Sequence, residues 1–270
     1  MQVLTWNLYH GRDFPPDPAL LTLRSRILRG IEPGATHAQV NRSLLPEFAL
    51  WLDRREWSVA LLQEAPPRWF EAFAKRTRSS AALALTSRNL LPALQRRLAD
   101  LNPDLLASSE GGSNQTLVRH PGRIVEVRRM RLANRPERRT MLWTRIELPE
   151  GALCTANLHA SAGLPDAAAG EVKRAAEQAV EWARGEPLIF GGDFNLRPRH
   201  NPEAFAALRE SHGLGEPTAA DAIDHLLTRG LDVVDPPRRL DPHERELPDP
   251  QGLRIRLSDH APVVAVFRLP

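Results

Sequence analysis

Polar side chains recur where short apolar segments, typical of buried strands, come to an end. They are Asn7, Glu64, His159, Asp193 with Asn195, Asp224, and Asp259 with His260. In α/β sheets the loops beyond one end of the strands build the site, because the rigid sheet fixes where those side chains point. Taken singly, each residue has an ordinary explanation as a turn residue or a strand cap. Taken together, they predict one polar site.

The carboxylates of this set predict a bound cation. Glu64, Asp193 and Asp259 would repel one another and would be costly to desolvate if they met without a positive charge. The candidate ligands are oxygen atoms, and the chain has one cysteine and few clustered histidines. Such a ligand set favours Mg²⁺ or Mn²⁺ over zinc.

Six motifs carry these residues in a fixed order between residues 5 and 260. They are Thr5-Trp6-Asn7, Gln63-Glu64, Asn157-Leu158-His159, Gly191-Gly192-Asp193-Phe194-Asn195, Ile223-Asp224-His225 and Ser258-Asp259-His260. Each motif alone is weak, but the ordered set is specific. In this set the chain resembles the endonuclease/exonuclease/phosphatase superfamily, which shares the fold of deoxyribonuclease I. The resemblance implies a four-layer α/β sandwich, in which two mixed, largely antiparallel β-sheets pack face to face with helices outside.

The resemblance also implies the metal ligands. Glu64 is similar to the principal ligand, Asn7 lies beside it, and Asp259 shares or completes the coordination. The ion would keep several waters and bind a phosphate oxygen.

The remaining residues are implied to act on the water and the phosphate. Asp193 resembles the group that orients and deprotonates the attacking water, and Asn195 one that hydrogen-bonds the phosphoryl group. His159 and His260 would donate hydrogen bonds to phosphate oxygens. Asp224 resembles the carboxylate that pairs with His260 and holds its tautomer.

Some segments depart from the family pattern or leave two interpretations open. A helix is predicted over Leu90 to Leu101, where the family has a short loop, and Asn114 is a candidate for that loop's polar position. His225 follows Asp224 on a strand and should point to the other face, so it is interpreted as structural. The arginine-rich segment Arg128 to Arg139 is either a basic rim of the site or a solvated face of exposed strands.

Apolar patterns predict the elements that position the site. Strands are predicted at Gln2 to Asn7, Ser58 to Glu64, Ala81 to Thr86, Leu188 to Phe190, Ala222 to Leu227 and Ala261 to Leu269, with an antiparallel meander from Thr116 to Leu158. Helices are predicted at Leu20 to Leu28, from a cap at Asn41 or Ser43 to Arg55, at Arg68 to Arg76, Ala167 to Arg184 and Glu203 to Ser211. Gly111 to Asn114 is a predicted turn and Asp235 to Gln251 a surface loop.

Length and composition suit one globular domain over residues 1–270. The hydrophobic fraction is 42% and the charged fraction 26%. Cys154 has no second cysteine with which to form an internal disulfide, and it is expected to be a buried, inert thiol in a strand. The chain opens without a signal peptide pattern, and no apolar run approaches the roughly 20 residues of a membrane span, so a cytoplasmic protein with no transmembrane segment is expected.

The predicted function is divalent-metal-dependent hydrolysis of a phosphodiester or phosphomonoester by an activated water. The net charge of +3 and pI of 9.7 are compatible with phosphate-bearing substrates, including nucleic acid. Nucleic acid, phospholipid or inositol headgroups, and small phosphorylated metabolites stay open as substrates, and no protein partner is predicted. The alternative is an inactive binding module of the same fold, which is expected to have lost Glu64, Asp193 or His260; all three are present.

Overall fold

The computed structural model describes residues 1–22, 35–86, 103–106, 110–134 and 138–270. Within these ranges the strands are β1 (Gln2–Asn7), β2 (Val59–Ala65), β3 (Ser79–Leu85), β4 (Ser113–Arg119), β5 (Arg123–Ala133), β6 (Arg139–Leu148), β7 (Gly151–His159), β8 (Leu188–Asp193), β9 (Asp224–Arg229), β10 (Asp232–Arg239), β11 (Glu246–Pro248), β12 (Arg254–Arg256) and β13 (Val263–Arg268). The α-helices are α1 (Leu45–Arg54), α2 (Phe70–Thr77), α3 (Pro103–Leu106), α4 (Pro165–Ala183) and α5 (Pro202–His212).

Two mixed sheets form the centre of the fold. One has six strands in the order β10-β13-β1-β2-β4-β3, and the other has five in the order β5-β6-β7-β8-β9. The pairs β1–β2 and β7–β8 are parallel, and the other pairs in these sheets are antiparallel. Strands β11 and β12 form a separate two-stranded ribbon.

Alternating side chains give each sheet two apolar faces. Val3 and Leu61 of the first sheet pack with Ile189 of the second in a core between the sheets. Leu4 and Trp6 point the other way, into a second core that includes residues of α1 and α2. A third core joins β6, β7 and β8 to α4 and α5. The order helices, sheet, sheet, helices confirms the predicted four-layer sandwich.

Several predicted elements are confirmed within a few residues. Strand β1 has the predicted bounds, and α4 covers most of Ala167 to Arg184. Arg184 takes a left-handed conformation at the C-cap of α4 and Gly185 follows it, as is common where a helix ends. Cys154 is buried in β7, as expected.

The predicted meander is correct for β5, β6 and β7 but wrong for its first strand. Strand β4 belongs to the other sheet, where it pairs with β2 and β3. Its residues from Ser113 to Val118 are all buried, which is typical of a strand with neighbours on both sides. Ser113 and Asn114, predicted to lie in a turn, are the first residues of this strand.

The prediction of a surface loop from Asp235 to Gln251 is also wrong. Strand β10 pairs with β13 at the edge of the six-stranded sheet, with register shifts on both sides of Asp235. Prolines and charges are tolerated in an edge strand with bulges, because the outer N–H groups pair with no neighbouring strand. A short 3₁₀ helix at Pro242–Arg245 follows.

Asn41 or Ser43 was predicted to cap helix α1, but neither residue does so. Its N-cap is Leu44, without a side-chain hydrogen bond, and Pro46 lies in its first turn. Of the predicted helix at Leu20 to Leu28, the described part forms a 3₁₀ helix at Pro18–Leu21, and residues 23–28 lie outside the described ranges. The predicted helix over residues 90–101 lies wholly outside them. Within the described ranges, no helix is long and apolar enough to span a membrane.

Candidate active site

Strand register brings the predicted residues to one end of the two sheets. Asn7 lies beside Gln63 in the parallel pair β1–β2, so Glu64 follows directly at the same edge. In the second sheet, Asp193 pairs with His159 on one side and with Asp224 on the other. Strand β13 runs antiparallel to β1, so the segment before it returns to the end where Asn7 lies.

Gly192 allows β7 and β8 to pair closely enough to place their last residues side by side. Its φ is +132°, and a Cβ at this position would lie 2.0 Å from the Leu158 backbone oxygen. No L side chain fits such a contact. The second glycine of the Gly-Gly-Asp motif is therefore needed for the backbone that carries Asp193.

Positive φ angles mark the backbone that carries several site residues. Glu64 has φ 46°, Asn195 has φ 52° and Ser258 has φ 60°, and His10 beside them has φ 55°. A non-glycine residue in this region costs free energy and persists only where the surroundings enforce it. The strain at Glu64 coincides with a shift in the β2–β4 register, which turns its side chain out of the strand's regular alternation.

Asp193 is the best connected of the predicted residues. Its Oδ2 accepts a hydrogen bond from Asn7 Nδ2 at 3.0 Å and its Oδ1 one from the Asn195 backbone N–H at 3.0 Å. The Nε2 atoms of His159 and His260 lie 3.5 and 3.8 Å from Oδ2. Burial and the charge of Asp224 raise the pKa of Asp193 to about 7.

His260 is held by Asp224 and by its own backbone. Its Nδ1 lies 2.8 Å from Asp224 Oδ2, and its carbonyl accepts a hydrogen bond from Trp6 Nε1 at 3.0 Å. Burial alone would lower the pKa of His260, but the charge and hydrogen bond of Asp224, helped by Asp193 and Asp259, raise it to about 10. Nδ1 therefore donates to Asp224, and Nε2 faces Asp193.

His159 is held by a cation, whereas His260 is held by the Asp224 carboxylate. Arg139 NH1 lies 3.1 Å from its Nδ1, and both side chains are buried. Because a guanidinium only donates, Nδ1 must be the acceptor and the ring proton must sit on Nε2. Burial lowers the pKa of His159 to about 3, which agrees with a neutral ring. Its Nε2–H faces Asp193 and Glu64, whose Oε1 is 3.7 Å away.

Glu64 faces imidazole groups from two directions. Besides His159, His10 Nε2 lies 3.3 Å from its Oε2. Burial would raise the pKa of Glu64, but the charge of His10, helped by His260 and Arg139, lowers it. His10 lies outside every predicted motif, and its position three residues after Asn7 is the one sequence feature that could have indicated its role.

The donor set at the edge of the site fits a hard divalent cation. Glu64 and Asp259 supply carboxylates and Asn7 an amide oxygen, with no thiolate among them. Burial and the charge of Glu64 raise the pKa of Asp259, and a bound cation would offset this repulsion. Asn7 Oδ1 also accepts a hydrogen bond from the Tyr9 N–H at 3.0 Å, which fixes the amide's orientation.

A second group of ligand-type atoms lies beside this set. Asp193, Asp224 and His260 each place one such atom within 4.8 Å of the others. Asp224 Oδ2 already accepts the 2.8 Å hydrogen bond from His260, and its Oδ1 is buried without a hydrogen-bond partner among the described residues. The hydrogen bond makes this group a connected acid–imidazole pair next to Asp193.

Three further residues were assigned positions or roles from the sequence: Asn195, Asn114 and His225. Asn195 Nδ2 donates to the Ala160 carbonyl at 3.0 Å, at the edge of the site. Asn114 is fully buried, and its amide donates to the Thr140 carbonyl at 2.8 Å, so it belongs to the interior. His225 is buried on the opposite face of β9, where its Nε2 contacts the Leu196 carbonyl at 3.2 Å, in agreement with a structural role.

Two residues with no predicted role hold the loop that carries Asp259 and His260: Ser258, which belongs to a predicted motif, and Arg245, which does not. Ser258 Oγ donates to the Asn7 carbonyl at 2.7 Å and accepts from the His260 N–H at 3.0 Å. Arg245 is buried, and its NH1 donates to the carbonyls of Ser258, at 2.9 Å, and His260. Burial and the charge of Arg256 lower the pKa of Arg245 to about 10.

A buried polar network supports the site from between the sheets. Gln63 Nε2 donates to Asn157 Oδ1 at 2.8 Å and to Thr5 Oγ1 at 3.0 Å. Asn157 Nδ2 in turn donates to the carbonyls of Leu62 and Gln115. These motif residues therefore tie the strands that carry Asn7, Glu64 and His159 to one another.

Fold and site together define the deoxyribonuclease I-like class of α/β sandwiches. A model of the Endonuclease/Exonuclease/phosphatase family matches residues 4–260. The chain belongs to this family. No match was found among curated proteins.

Solved structures share the fold over nearly the whole chain. A mannosyl-6-phosphatase of Bacteroides thetaiotaomicron VPI-5482 is 16% identical with a TM-score of 0.65, and 99% of each chain is covered. The human Nocturnin catalytic domain with bound sulfate anion is 17% identical with a TM-score of 0.64, covering 100% of this chain and 94% of that one. D. rerio TDP2 complexed with single strand DNA product is 13% identical with a TM-score of 0.58, covering 99% and 98%.

Proposed function

We propose that this protein is a divalent-metal-dependent phosphoesterase that hydrolyses a phosphodiester or phosphomonoester with an activated water. One observation carries the proposal. The Asp193 carboxylate lies 3.5 and 3.8 Å from the Nε2 atoms of two imidazoles, His159 and His260, which are held by groups of opposite charge. Membership of a family of nucleases and phosphatases supports it.

Glu64, Asn7 and Asp259 would hold the metal, most suitably Mg²⁺ or Mn²⁺. When bound, such an ion supplies positive charge that polarises a phosphate oxygen and offsets the negative charge of the transition state. Glu64 is oriented by His10 and Asn7 by the Tyr9 N–H, so two of the three ligands are positioned by short-range contacts.

Asp193 is the proposed general base. Hydrogen bonds from Asn7 and from the Asn195 N–H hold the two carboxylate oxygens in place. Since the carboxylate is buried beside both imidazoles, a water at its Oδ2 would lie on the side where the phosphate is bound. Asp193 then orients this water and accepts its proton.

His159 and His260 are the proposed donors to the phosphate oxygens. Their Nε2–H groups face the same space. The Nδ1 atom of His159 is already bonded to Arg139, and the Nδ1 atom of His260 is already bonded to Asp224. Donors fixed before the reaction stabilise charge as it develops, without reorganisation. Asn195, at the edge of this space, contributes a side-chain hydrogen bond to the phosphoryl group.

The proposed substrate is a phosphate ester. More specifically, we propose that the protein is a nuclease. Proteins of this fold include a mannosyl-6-phosphatase and TDP2, whose structure contains a single strand DNA product. A phospholipid or small-metabolite phosphatase is the alternative. An inactive binding module is disfavoured because Glu64, Asp193 and His260 are all present in the chain.

The direct test is hydrolysis of bis(4-nitrophenyl) phosphate and 4-nitrophenyl phosphate by the purified protein. We expect turnover with Mg²⁺ or Mn²⁺ and none in excess chelator. Asp193→Ala and His260→Ala should each lower kcat by at least about a hundredfold. Asp232→Ala and His200→Ala, on the surface, are the matched controls. Undiminished activity in chelator would refute the metal requirement, and near-normal turnover in Asp193→Ala or His260→Ala would refute that residue's role.

A further inference from the structure

A groove lined by arginines lies between the edges of the two sheets. It runs between β3, the last strand of the six-stranded sheet, and β5 and β6 of the other. Its volume is about 400 Å³. The described lining residues are Leu83, Leu85, Arg129, Arg131, Arg138 and Thr140; three of these are arginines and none is a carboxylate. We call it the arginine groove.

Among the described residues, two of these arginines have no acidic partner. Arg129 Nε donates to the Leu83 carbonyl at 2.8 Å and thereby ties the two sheet edges together. Arg131 and Arg138 form no ion pair within the part of the chain that the structure describes. Arg138 Nε is buried and lacks a hydrogen-bond partner. A buried guanidinium N–H without an acceptor costs free energy, which an anion in the groove would recover.

One wall of the arginine groove leads to the metal side of the candidate site. Leu85 is followed by Thr86, whose Oγ1 lies 3.1 Å from the position a Cβ would take at Gly112. The same position is 3.2 Å from the Cα of Glu64. The end of β3 therefore packs, through Gly112, against the backbone that carries the proposed metal ligand.

The other wall leads to the phosphate side. Arg138 precedes Arg139, whose NH1 contacts His159 Nδ1 at 3.1 Å. Of the arginine-rich segment, Arg128 is instead turned away, paired with Glu126 and close to Trp143. The segment is thus divided: part of it is structural, and Arg131 with Arg138 faces a groove that begins one residue from the site.

We infer that the arginine groove is a second anion subsite, which binds a phosphate group of the substrate other than the one that is hydrolysed. This inference rests on the proposed function and narrows its substrate to esters that carry at least two phosphates. Leu83 and Leu85 add apolar surface to the same groove, which suits contact with an apolar part of the substrate beside its second phosphate. The shared chemistry is the second phosphate, from a nucleic-acid strand or from a small bisphosphate.

The test compares substrates that differ in phosphate number. We would measure kcat/KM for bis(4-nitrophenyl) phosphate, for a sugar bisphosphate and for a single-stranded oligonucleotide of about eight nucleotides. The variants are Arg131→Ala, Arg138→Ala and the double variant. Arg123→Ala, an exposed arginine of the same strand β5 that pairs with Glu147, is the matched control.

A second measurement separates this inference from the proposed function. Binding of the labelled oligonucleotide and of the bisphosphate is followed in chelator, where no hydrolysis is expected, as a function of salt. Each groove arginine removed should weaken binding about tenfold and should reduce the slope of log affinity against log salt by about 0.7 for the strand.

The expected result is a loss of kcat/KM of about tenfold or more in the groove variants on at least one substrate with two or more phosphates, with bis(4-nitrophenyl) phosphate unchanged. A loss on the oligonucleotide alone would identify a nucleic-acid strand, and a loss on the bisphosphate alone a small ester. Equal losses on all substrates, or unchanged binding of both polyanions by the double variant, would overturn the inference. If the wild type hydrolyses nothing, the proposed function fails, and the binding measurement still decides the subsite.

Discussion

Asp224→Asn removes the charge behind His260 while leaving its side chain almost the same size. The hydrogen bond between His260 Nδ1 and Asp224 Oδ2 is 2.8 Å long and lies in a buried part of the site. An asparagine oxygen still accepts this hydrogen bond, so the imidazole keeps its place. What is lost is the negative charge that favours a donating, positively charged imidazole next to the phosphate.

The expected loss follows from the strength of that interaction. Hydrogen bonds to charged groups contribute about 1.5–3 kcal/mol, and a preorganised donor in a buried site contributes up to about 4 kcal/mol. A loss of about 2 to 4 kcal/mol corresponds to a decrease in kcat of about 30- to 1,000-fold. Because Asp224 holds no substrate group in this scheme, KM should change little.

The assay is steady-state hydrolysis of bis(4-nitrophenyl) phosphate at saturating Mg²⁺. Asp221→Asn is the matched control, since it makes the same chemical change three residues earlier at an exposed ion pair with Arg199. Its kcat should equal that of the wild type. An Asp224→Asn protein with wild-type kcat would refute the proposed role of Asp224. If kcat were unchanged and only KM rose, Asp224 would act in substrate binding instead.

Three further predictions concern the scaffold. Gly192→Ala places a Cβ 2.0 Å from the Leu158 oxygen, so thermal unfolding should show a Tm lower by about 10 °C or no folded protein; an unchanged Tm contradicts the close approach of the strands. Native Cys154 should resist thiol reagents at pH 8, because burial and the hydrogen bond to Glu186 raise its pKa to about 12 and leave roughly one thiol in ten thousand ionised; prompt stoichiometric labelling before unfolding contradicts this. Glu246→Gln should lower the free energy of unfolding by about 2 kcal/mol at pH 7, measured with urea; an unchanged value contradicts it.

The pH dependence of the last variant follows from the direction of the pKa shift. Burial would raise the pKa of Glu246, but hydrogen bonds from His37 and Arg256 and their charges lower it. A lowered pKa in the folded state stabilises the protein above the unfolded-state pKa, about 4.3, and this contribution is lost as the pH falls through the folded-state value. The difference between the wild type and Glu246→Gln should therefore shrink below about pH 4. A constant difference down to pH 3 would contradict the shift.

Motif order predicted the site because parallel strands end together. The sequence placed these residues at strand ends, and the structure shows that Asn7 and Glu64 lie at the ends of neighbouring parallel strands, as do His159 and Asp193. The face-to-face packing that joins the two pairs came from the resemblance to a family and not from any local pattern.

Residues that act through backbone contacts were not predictable in this way. Arg245 lies in a segment of prolines and charges that predicts a surface loop, yet its guanidinium binds the carbonyls of the loop that carries His260. Arg139 was one of several arginines in a row, and only the structure shows that it fixes the proton of His159. Such roles depend on which backbone carbonyl or ring, distant in sequence, the side chain contacts in the fold. Neither the hydrophobic periodicity nor the spacing of motifs predicts that contact.

In the proposed site, Glu64, Asn7 and Asp259 hold the metal, while Asp224 holds the imidazole of His260. The most direct measurement is Mn²⁺ binding, by electron paramagnetic resonance or calorimetry, to the wild type, Glu64→Gln and Asp224→Asn. We predict that Glu64→Gln weakens the affinity by at least about tenfold and that Asp224→Asn leaves it within about threefold. Wild-type affinity in Glu64→Gln with a large loss in Asp224→Asn would contradict the assignment and place the ion among Asp193, Asp224 and His260.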